Sequence, residues 1–481
     1  MNFAIVRYLI GWMLGIESIF LLLPALTAVI YGEAELPAYL TAAAISLAGT
    51  ALLCHRKPKN TRFYAREGYV TVALCWLILA VIGALPFVLS REIPFFIDAL
   101  FETVSGFTTT GATILGDVEA LSHASMLWRC LTHWVGGMGV LVFMLIVLPL
   151  AGGQTIFLMR AESPGPSVSK MSPHMRDTAT ILYAIYFGLT VLQMILLLIG
   201  GMPFFDAICV SLGTAGTGGF GNWNDSIAHY NSAYLQNVIT VFMILFGINF
   251  SAYFLILTRK FRQAFRIEEI RVYLGVIFVF AGLIAFNVRP MFGSLRESFH
   301  HALFQVASII TTTGFSTVDF DQWPTFSRAL LVLLMFIGAC AGSTGGGIKC
   351  SRILLLGKSV KKEMMCLIHP RLVRVNKMDG QRVPHEVMRS INVFVVAYAF
   401  IFILSLLIIS LNCEDLVTCF TSVATTLNNV GPGLSLCGPT CNFDFFPPLS
   451  KCVLIFDMLA GRLELFPMLL LFTPGTWQRN K

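Results

Sequence analysis

The sequence predicts an all-α polytopic membrane protein: an N-terminal helical hairpin followed by four repeats of helix, short helix and helix around a common centre, with about ten transmembrane helices. Three observations predict it. Of 481 residues, 56% are hydrophobic and only 12% charged, and the mean hydropathy of +0.77 lies outside the range of soluble domains. Apolar runs near the roughly 20 residues that cross a bilayer recur from end to end, leaving no room for a soluble domain of ordinary size. The string Phe96-Ile-Asp-Ala-Leu-Phe-Glu-Thr-Val-Ser-Gly-Phe-Thr-Thr-Thr-Gly111 returns as Phe299-His-His-Ala-Leu-Phe-Gln-Val-Ala-Ser-Ile-Ile-Thr-Thr-Thr-Gly314.

Two fainter copies complete the set. Phe204-Phe-Asp-Ala-Ile208 repeats the opening, and the same register lands on Gly219 rather than Gly216 or Gly218. Thr425-Thr-Leu-Asn-Asn-Val-Gly431 keeps the Thr-rich approach to a Gly. Four copies of one unit imply a quasi-fourfold object.

The net charge of +7 is distributed by topology. Loops 55–67, 152–177, 258–271 and 349–390 hold 5, 3, 5 and 10 Lys/Arg, and with Arg7, Arg479 and Lys481 account for 26 of 33. The positive-inside rule makes those loops, and both termini, cytoplasmic. No nucleic-acid partner is implied, and no cleavable leader is evident. The twelve Cys mostly sit in apolar runs, as small buried hydrophobes do. Cys437 and Cys441, on the outer side, are the one candidate disulfide, though free thiols are the favoured reading.

The expected organisation is 1–60, a transmembrane hairpin; 61–160, repeat 1; 161–262, repeat 2; 263–360, repeat 3 with a mid-membrane loop; and 361–481, a cytoplasmic loop and repeat 4. The hairpin spans 8–30 and 36–54. Glu17, its one ionisable residue well inside the membrane, is read as a packing or snorkelling group. In repeat 1, 68–90 spans, 95–107 is too short to span, 108–114 is irregular and 126–150 spans back. The other spans are 178–200 and 233–258, 270–288 and 326–356, 391–411 and 449–472. Pro94 and Pro203 open the short helices, where Pro is tolerated. Asp98 and Asp206 follow in the first turn, where the helix dipole favours a carboxylate.

Irregular backbone survives at membrane depth only where it is buried in protein or lines a watery cavity. Four Thr-x-Gly stretches meeting on one axis would present rings of carbonyl oxygens, the means by which a central pore replaces an ion's hydration shell. Gly permits the dihedrals that such alignment needs. No ring of acids stands beside the glycines, which points to a stripped monovalent cation.

Loops 108–113, 217–221, 311–317 and 428–434, set in four helix, pore helix, helix units after an extra hairpin, resemble the Trk/Ktr/HKT superfamily of potassium transporters. Gly342-Ser-Thr-Gly-Gly-Gly-Ile-Lys349 and Gly461-Arg-Leu-Glu-Leu-Phe466 are similar specifically to the bacterial TrkH-type subunits. The resemblance implies potassium uptake across the bacterial inner membrane by a non-enzymatic, multi-pass protein, with K+ as the transported ion and no organic cofactor. It implies a selectivity filter built from Thr109, Thr110 and Gly111; Thr217, Gly218 and Gly219; Thr312, Thr313 and Gly314; and Asn429, Val430 and Gly431. It also implies K+ and Rb+ preferred over Na+, since a Ser in place of the first Gly goes with sodium transport and position 111 is Gly.

The second helix of repeat 3 runs into Gly342, Ser343, Thr344, Gly345, Gly346 and Gly347. Each Gly costs a helix about 0.8–1 kcal/mol relative to Ala, so the helix should break there. Lys349 does not make this a phosphate-binding loop, because no strand precedes it. The resemblance makes 342–347 with Lys349 a gate beneath the filter. Arg462, whose mid-membrane cost is about 2.5–3.5 kcal/mol, would hold that gate closed through loop carbonyls, with Asp457 and Glu464 as other candidate partners. The resemblance further implies a homodimer on a cytoplasmic ring of TrkA-type nucleotide-binding regulators, docked on 349–390 and 152–177; lipid anchoring is the other reading of those basic loops. Competing functions are a Na+-permeable or K+/Na+-coupled transporter, and a membrane-embedded enzyme using His123, His133, His300 or His301. No nucleophile-base or metal spacing supports the enzyme.

Overall fold

In a computed structural model, which describes residues 1–58, 64–147, 175–371 and 375–478, the chain is almost wholly helical. The hairpin is α1 (Phe3–Tyr31) and α2 (Leu36–Cys54). Repeat 1 is α3 (Ala65–Ser90), short α4 (Phe96–Phe107) and α5 (His123–Val147). Repeat 2 is α6 (Met175–Ile199), short α7 (Phe204–Gly216), then α8 (Ala233–Phe246) and α9 (Phe250–Leu257). Repeat 3 is α10 (Glu268–Val288), short α11 (Leu295–Ile310), α12 (Thr325–Ile337) and α13 (Cys350–Ile368). A two-stranded hairpin, Lys377–Met378 with Gln381–Arg382, precedes repeat 4. That repeat is α14 (His385–Ile409), short α15 (Leu416–Leu427), α16 (Pro448–Arg462) and α17 (Phe466–Leu471).

Six helices among the described residues are long and apolar enough to cross a membrane, or seven if the bent pair α8 and α9 counts as one. Three of the other expected crossings, 233–258, 326–356 and 449–472, are divided. Segment 233–258, expected as one helix, bends by 93° between α8 and α9; 449–472, also expected unbroken, is interrupted after Arg462, with Glu464 and Leu465 at positive φ. The break after Arg462 closes on its own chain, with Leu465 N donating to Ala460 O (2.8 Å) and Glu464 N to Gly461 O (3.2 Å), whereas the break between α8 and α9 is stabilised from outside its own helices. The freed Gly247 carbonyl accepts from Cys340 N (3.1 Å) and Phe250 N donates to Gly342 O (3.0 Å), so the groups a break exposes are paired by a neighbouring segment. Glu17 does not snorkel: it is 3% exposed. Cys437 and Cys441 are free thiols. Arg479, Lys481 and nearly all of loop 152–177 lie outside the described residues.

The repeats are joined in a cycle. α5 packs on α7, α8 on α11, α12 on α15 and α16 back on α4, so the second helix of each repeat supports the short helix of the next. α1 lies against α3 and α5 outside that cycle. The short helices begin on acids or caps: Lys451 on α16 donates to Asp98 (2.7 Å), Asp206 accepts from Tyr230 OH (2.6 Å) and Asn222 Nδ2 (2.7 Å), Ser294 Oγ caps Glu297 N, and Asp415 caps Val417 N and Thr418 N.

The Asp415 cap yields a pH test. Hydrogen bonding from Thr418, beside the helix amides, holds its carboxyl down to about 2. Because that lies below the ordinary aspartate value, the stabilisation is complete above about pH 4 and disappears as the pH falls through about 2. Asp415→Ala is expected to destabilise purified protein by about 1 kcal/mol at neutral pH, with wild-type and variant melting curves converging as the pH approaches 2.

Candidate functional site

The four short helices end in the same way. An amide two or three residues past each helix reaches back five residues: Thr110 N to Ser105 O (2.9 Å), Gly218 N to Gly213 O (2.9 Å), Thr313 N to Ser308 O (2.8 Å) and Val430 N to Thr425 O (2.8 Å). The residue before it reaches back three: Thr109 N to Gly106 O, Thr217 N to Thr214 O, Thr312 N to Ile309 O and Asn429 N to Thr426 O. This paired closure needs a left-handed residue, usually Gly. Here Thr109, Thr217, Thr312 and Asn429 occupy it, at φ of 55°, 55°, 59° and 55°. A β-branched side chain there costs on the order of 1–3 kcal/mol, strain that persists only where the surroundings over-determine it.

Two residues on, Gly111, Gly219, Gly314 and Gly431 are also left-handed, at φ of 80°, 84°, 85° and 96°. Their packing closes a ring. A Cβ on Gly111 would strike the carbonyl oxygen of Gly218, one on Gly219 that of Thr313, one on Gly314 that of Val430 and one on Gly431 that of Thr110, each within 2.6 Å. Each loop therefore lays its glycine on the carbonyl just before the next loop's glycine, and the fourth loop returns to the first. Thr109, Thr110, Thr217, Thr312, Thr313, Asn429 and Val430 are fully buried. Hydroxyl pairs brace equivalent turns: Thr108 Oγ1 lies 2.8 Å from Thr110 Oγ1, and Thr311 Oγ1 2.8 Å from Thr313 Oγ1. Asn429 Nδ2 donates across repeats to Thr110 Oγ1 (3.0 Å) and to Met458 O (2.9 Å).

On one side the ring borders an open cavity, about 770 Å³ with the solvent space at its mouth, lined by all four glycines and by Thr113, Arg129 and Asn442. On the other lies the segment between α12 and α13. Gly346 N donates to Thr312 Oγ1 (2.6 Å), a Cβ on Gly345 would sit 3.0 Å from Thr311 O, and one on Gly346 2.5 Å from Asn428 O. Arg462 donates from Nη1 to Thr344 O and from Nη2 to Gly136 O, both at 2.7 Å. Lys349 Nζ donates to Gly345 O, inside the same segment. Asp457 instead accepts from Ser405 Oγ (2.7 Å), and Glu464 pairs with Arg352. Of the segment's polar groups, Ser343 Oγ turns back to Cys340 O (2.6 Å) and Thr344 Oγ1 donates to Phe246 O (3.3 Å). Gly342 and Gly347 take positive φ, 73° and 76°, where the chain reverses.

Sequence reasoning missed the groups that hold this arrangement. Glu102 and Arg129 form a buried ion pair, Nε to Oε1 at 2.8 Å. Glu102 also accepts from Thr113 Oγ1 (3.0 Å) and Ile114 N (3.1 Å), and the guanidinium lies 4.1 Å over the Phe220 ring. One pair thereby ties loop 1 to loop 2. His133 bridges the same two loops: Nδ1 donates to Gly106 O (2.7 Å) and Nε2 accepts from Phe220 N (3.2 Å), which requires the neutral ring. Glu269 accepts from Ala341 N (2.7 Å) and Ser351 N (3.0 Å), pinning both ends of the segment. Opposite charges within two apolar stretches of one repeat were the available signal for Glu102 and Arg129. The other three histidines weighed as enzyme candidates also serve as struts: His123 to Glu33, His300 to Gln236 and His301 to Thr317.

Fold and site together define a multi-pass helical membrane protein of the cation-transport class. Residues 37–285 and 289–478 match the TrkH family, described as a cation transport protein, and the chain belongs to that family. It is 38% identical to the Trk system potassium uptake protein TrkH of Salmonella typhimurium over 99% of this chain and all of that one. It is 37% identical to TrkH of Escherichia coli K12 over the same shares. The crystal structure of the potassium transporter TrkH from Vibrio parahaemolyticus matches 99% of this chain and all of its own, with a TM-score of 0.89 and 33% identity.

Two substitutions test the packing. Gly219→Ala is expected to destabilise the purified protein by more than about 1 kcal/mol, because Ala is strained at positive φ and its methyl meets a backbone oxygen; melting in detergent reads it. Arg129→Met strands Glu102 and is expected to cost about 3–5 kcal/mol. Adding Glu102→Gln should recover part of that loss, and a double variant no more stable than Arg129→Met would remove Glu102 as the partner that matters.

Proposed function

We propose that this chain carries K+ into the bacterial cytoplasm through the ring of four loops. The backbone oxygens of Thr109, Thr110, Thr217, Gly218, Thr312, Thr313, Asn429 and Val430 replace the ion's water, with Gly111, Gly219, Gly314 and Gly431 permitting the turn. The single observation that carries this reading is the cyclic seating of each glycine on the next loop's carbonyl, because a closed ring of oxygens is what a dehydrated monovalent cation requires. The short helices deliver their C-terminal ends, with partial negative charge, to the same place. Membership in a family of cation transport proteins, and relatives named as potassium uptake proteins, support the choice of ion.

In this reading residues 342–347 with Lys349 are a gate. They lie against Thr311–Thr312 and Asn428 on the side opposite the cavity, where a segment in the ion's path would lie. Arg462 fastens the gate by its two carbonyl bonds and adds positive charge beneath the ring. Repeats 61–160, 161–262, 263–360 and 361–481, after the hairpin 1–60, are the structural units of the pore. The chain sits in the inner membrane with both termini cytoplasmic, as a homodimer on a TrkA-type nucleotide-binding regulator docked on 349–390 and 152–177.

The decisive assay is radiolabelled Rb+ uptake into proteoliposomes with K+, Na+ and Li+ as competitors. K+ is expected to compete best, and equal competition by Na+ would overturn the assignment. Arg462→Ala and deletion of 343–346 are each expected to raise flux about tenfold, the shift from losing a charged hydrogen bond of about 1.5 kcal/mol, with the competition order unchanged. Unaltered flux in both variants would remove the gate.

A further inference from the structure

Outside the ring, between α1, α3, α4 and α5, lies a second cavity, about 30 Å³ where it is enclosed and about 560 Å³ with the open space at its mouth. Its walls are apolar except for Glu17, and they include four aromatic side chains, Phe20, Trp76, Phe107 and Trp128. Glu17 is 3% exposed, and neither carboxyl oxygen has a hydrogen-bond partner. The Trp128 indole N–H is already given to Gly83 O (2.9 Å). A buried carboxyl with both oxygens unsatisfied is costly unless something pairs with it. Met13, Ile16 and Phe20 on the same helix are only half-buried, so the mouth opens along α1.

We propose that this cavity binds a small lipophilic ammonium ion, a protonated alkylamine of a few carbons, with its charge on the Glu17 carboxylate and its body among the aromatic rings. A carboxylate supplies the counter-charge and hydrogen-bond acceptors that an ammonium needs, and ring faces attract the same cation. An anion is excluded by the carboxylate, and a neutral apolar guest would leave its oxygens unpaired. A phospholipid headgroup does not reach the site, because Glu17 is central in the 29-residue α1, about 21 Å from either end at 1.5 Å per residue. The site has a route to the ring: Phe107 is the last residue of α4, and the wall residue Gly136 gives its carbonyl to Arg462.

The test is equilibrium binding of radiolabelled n-butylammonium to the full-length protein in lipid nanodiscs at neutral pH. Saturable binding is expected, displaced by unlabelled n-butylammonium and not by n-butanol at the same concentration. Glu17→Gln should weaken binding about tenfold or more, since it removes the charge that desolvated pairing depends on. Ile16→Phe, which narrows the cavity and keeps the carboxyl, should weaken it independently. Equal binding by wild type and Glu17→Gln would put the amine elsewhere, for instance on the ring of loops, and overturn the proposal. Displacement by butanol would do so by making the pocket indifferent to charge. Absence of saturable binding at millimolar amine would also overturn it, leaving ordered water as the partner of Glu17.

Discussion

Everything in this structure depends on four short helices ending in a left-handed turn at the same level. A helix that stops inside a membrane exposes carbonyls and amides that lipid cannot satisfy. Each of the four is closed by the same pair of backbone bonds, and the next two residues lay the chain against the neighbouring loop. Seating a glycine on the adjacent carbonyl works only if all four loops do it, since each loop is both floor and cover for another. The helices repeat that logic one layer out, where the second helix of each repeat supports the short helix of the next. Strain at three threonines is held in place by this closure.

The second helices of repeats 2, 3 and 4 break, and their breaks satisfy one another. Gly247 O and Phe250 N, freed between α8 and α9, pair with Cys340 and Gly342. Thr344 O accepts a hydrogen bond from Arg462 at the end of α16, and Arg352 at the start of α13 pairs with Glu464 just past that end. In repeat 1, α5 is unbroken over its described residues, His123–Val147, and lends Gly136 O to the same arginine. A single-chain pseudo-fourfold ring can thus carry an asymmetric lower layer, because each repeat is free to diverge where it touches only one neighbour.

The charged groups inside the membrane divide by whether the fold pairs them. Glu102 with Arg129 and Glu464 with Arg352 form ion pairs. Glu269 is satisfied by backbone amides and Arg462 by backbone carbonyls. Among the described residues Glu17 has both carboxyl oxygens unpaired, in an aromatic pocket.

The membrane class, the hairpin and the fourfold recurrence are legible in the amino-acid order, because apolar length and local repetition are properties of neighbouring residues. Register alone singled out Gly219, whose dihedral and packing match those of Gly111, Gly314 and Gly431. The glycines of 342–347 announced a break, since each weakens a helix regardless of surroundings. That 233–258 and 449–472 are broken too emerges from packing alone. Their composition is that of ordinary spans; the groups freed in 233–258 pair with Cys340 and Gly342, and Glu464 past the other break pairs with Arg352, partners far away in the chain. The left-handed threonines were hidden for the same reason: a propensity argues against them, and what outweighs it is a ring that exists only when all four loops are present.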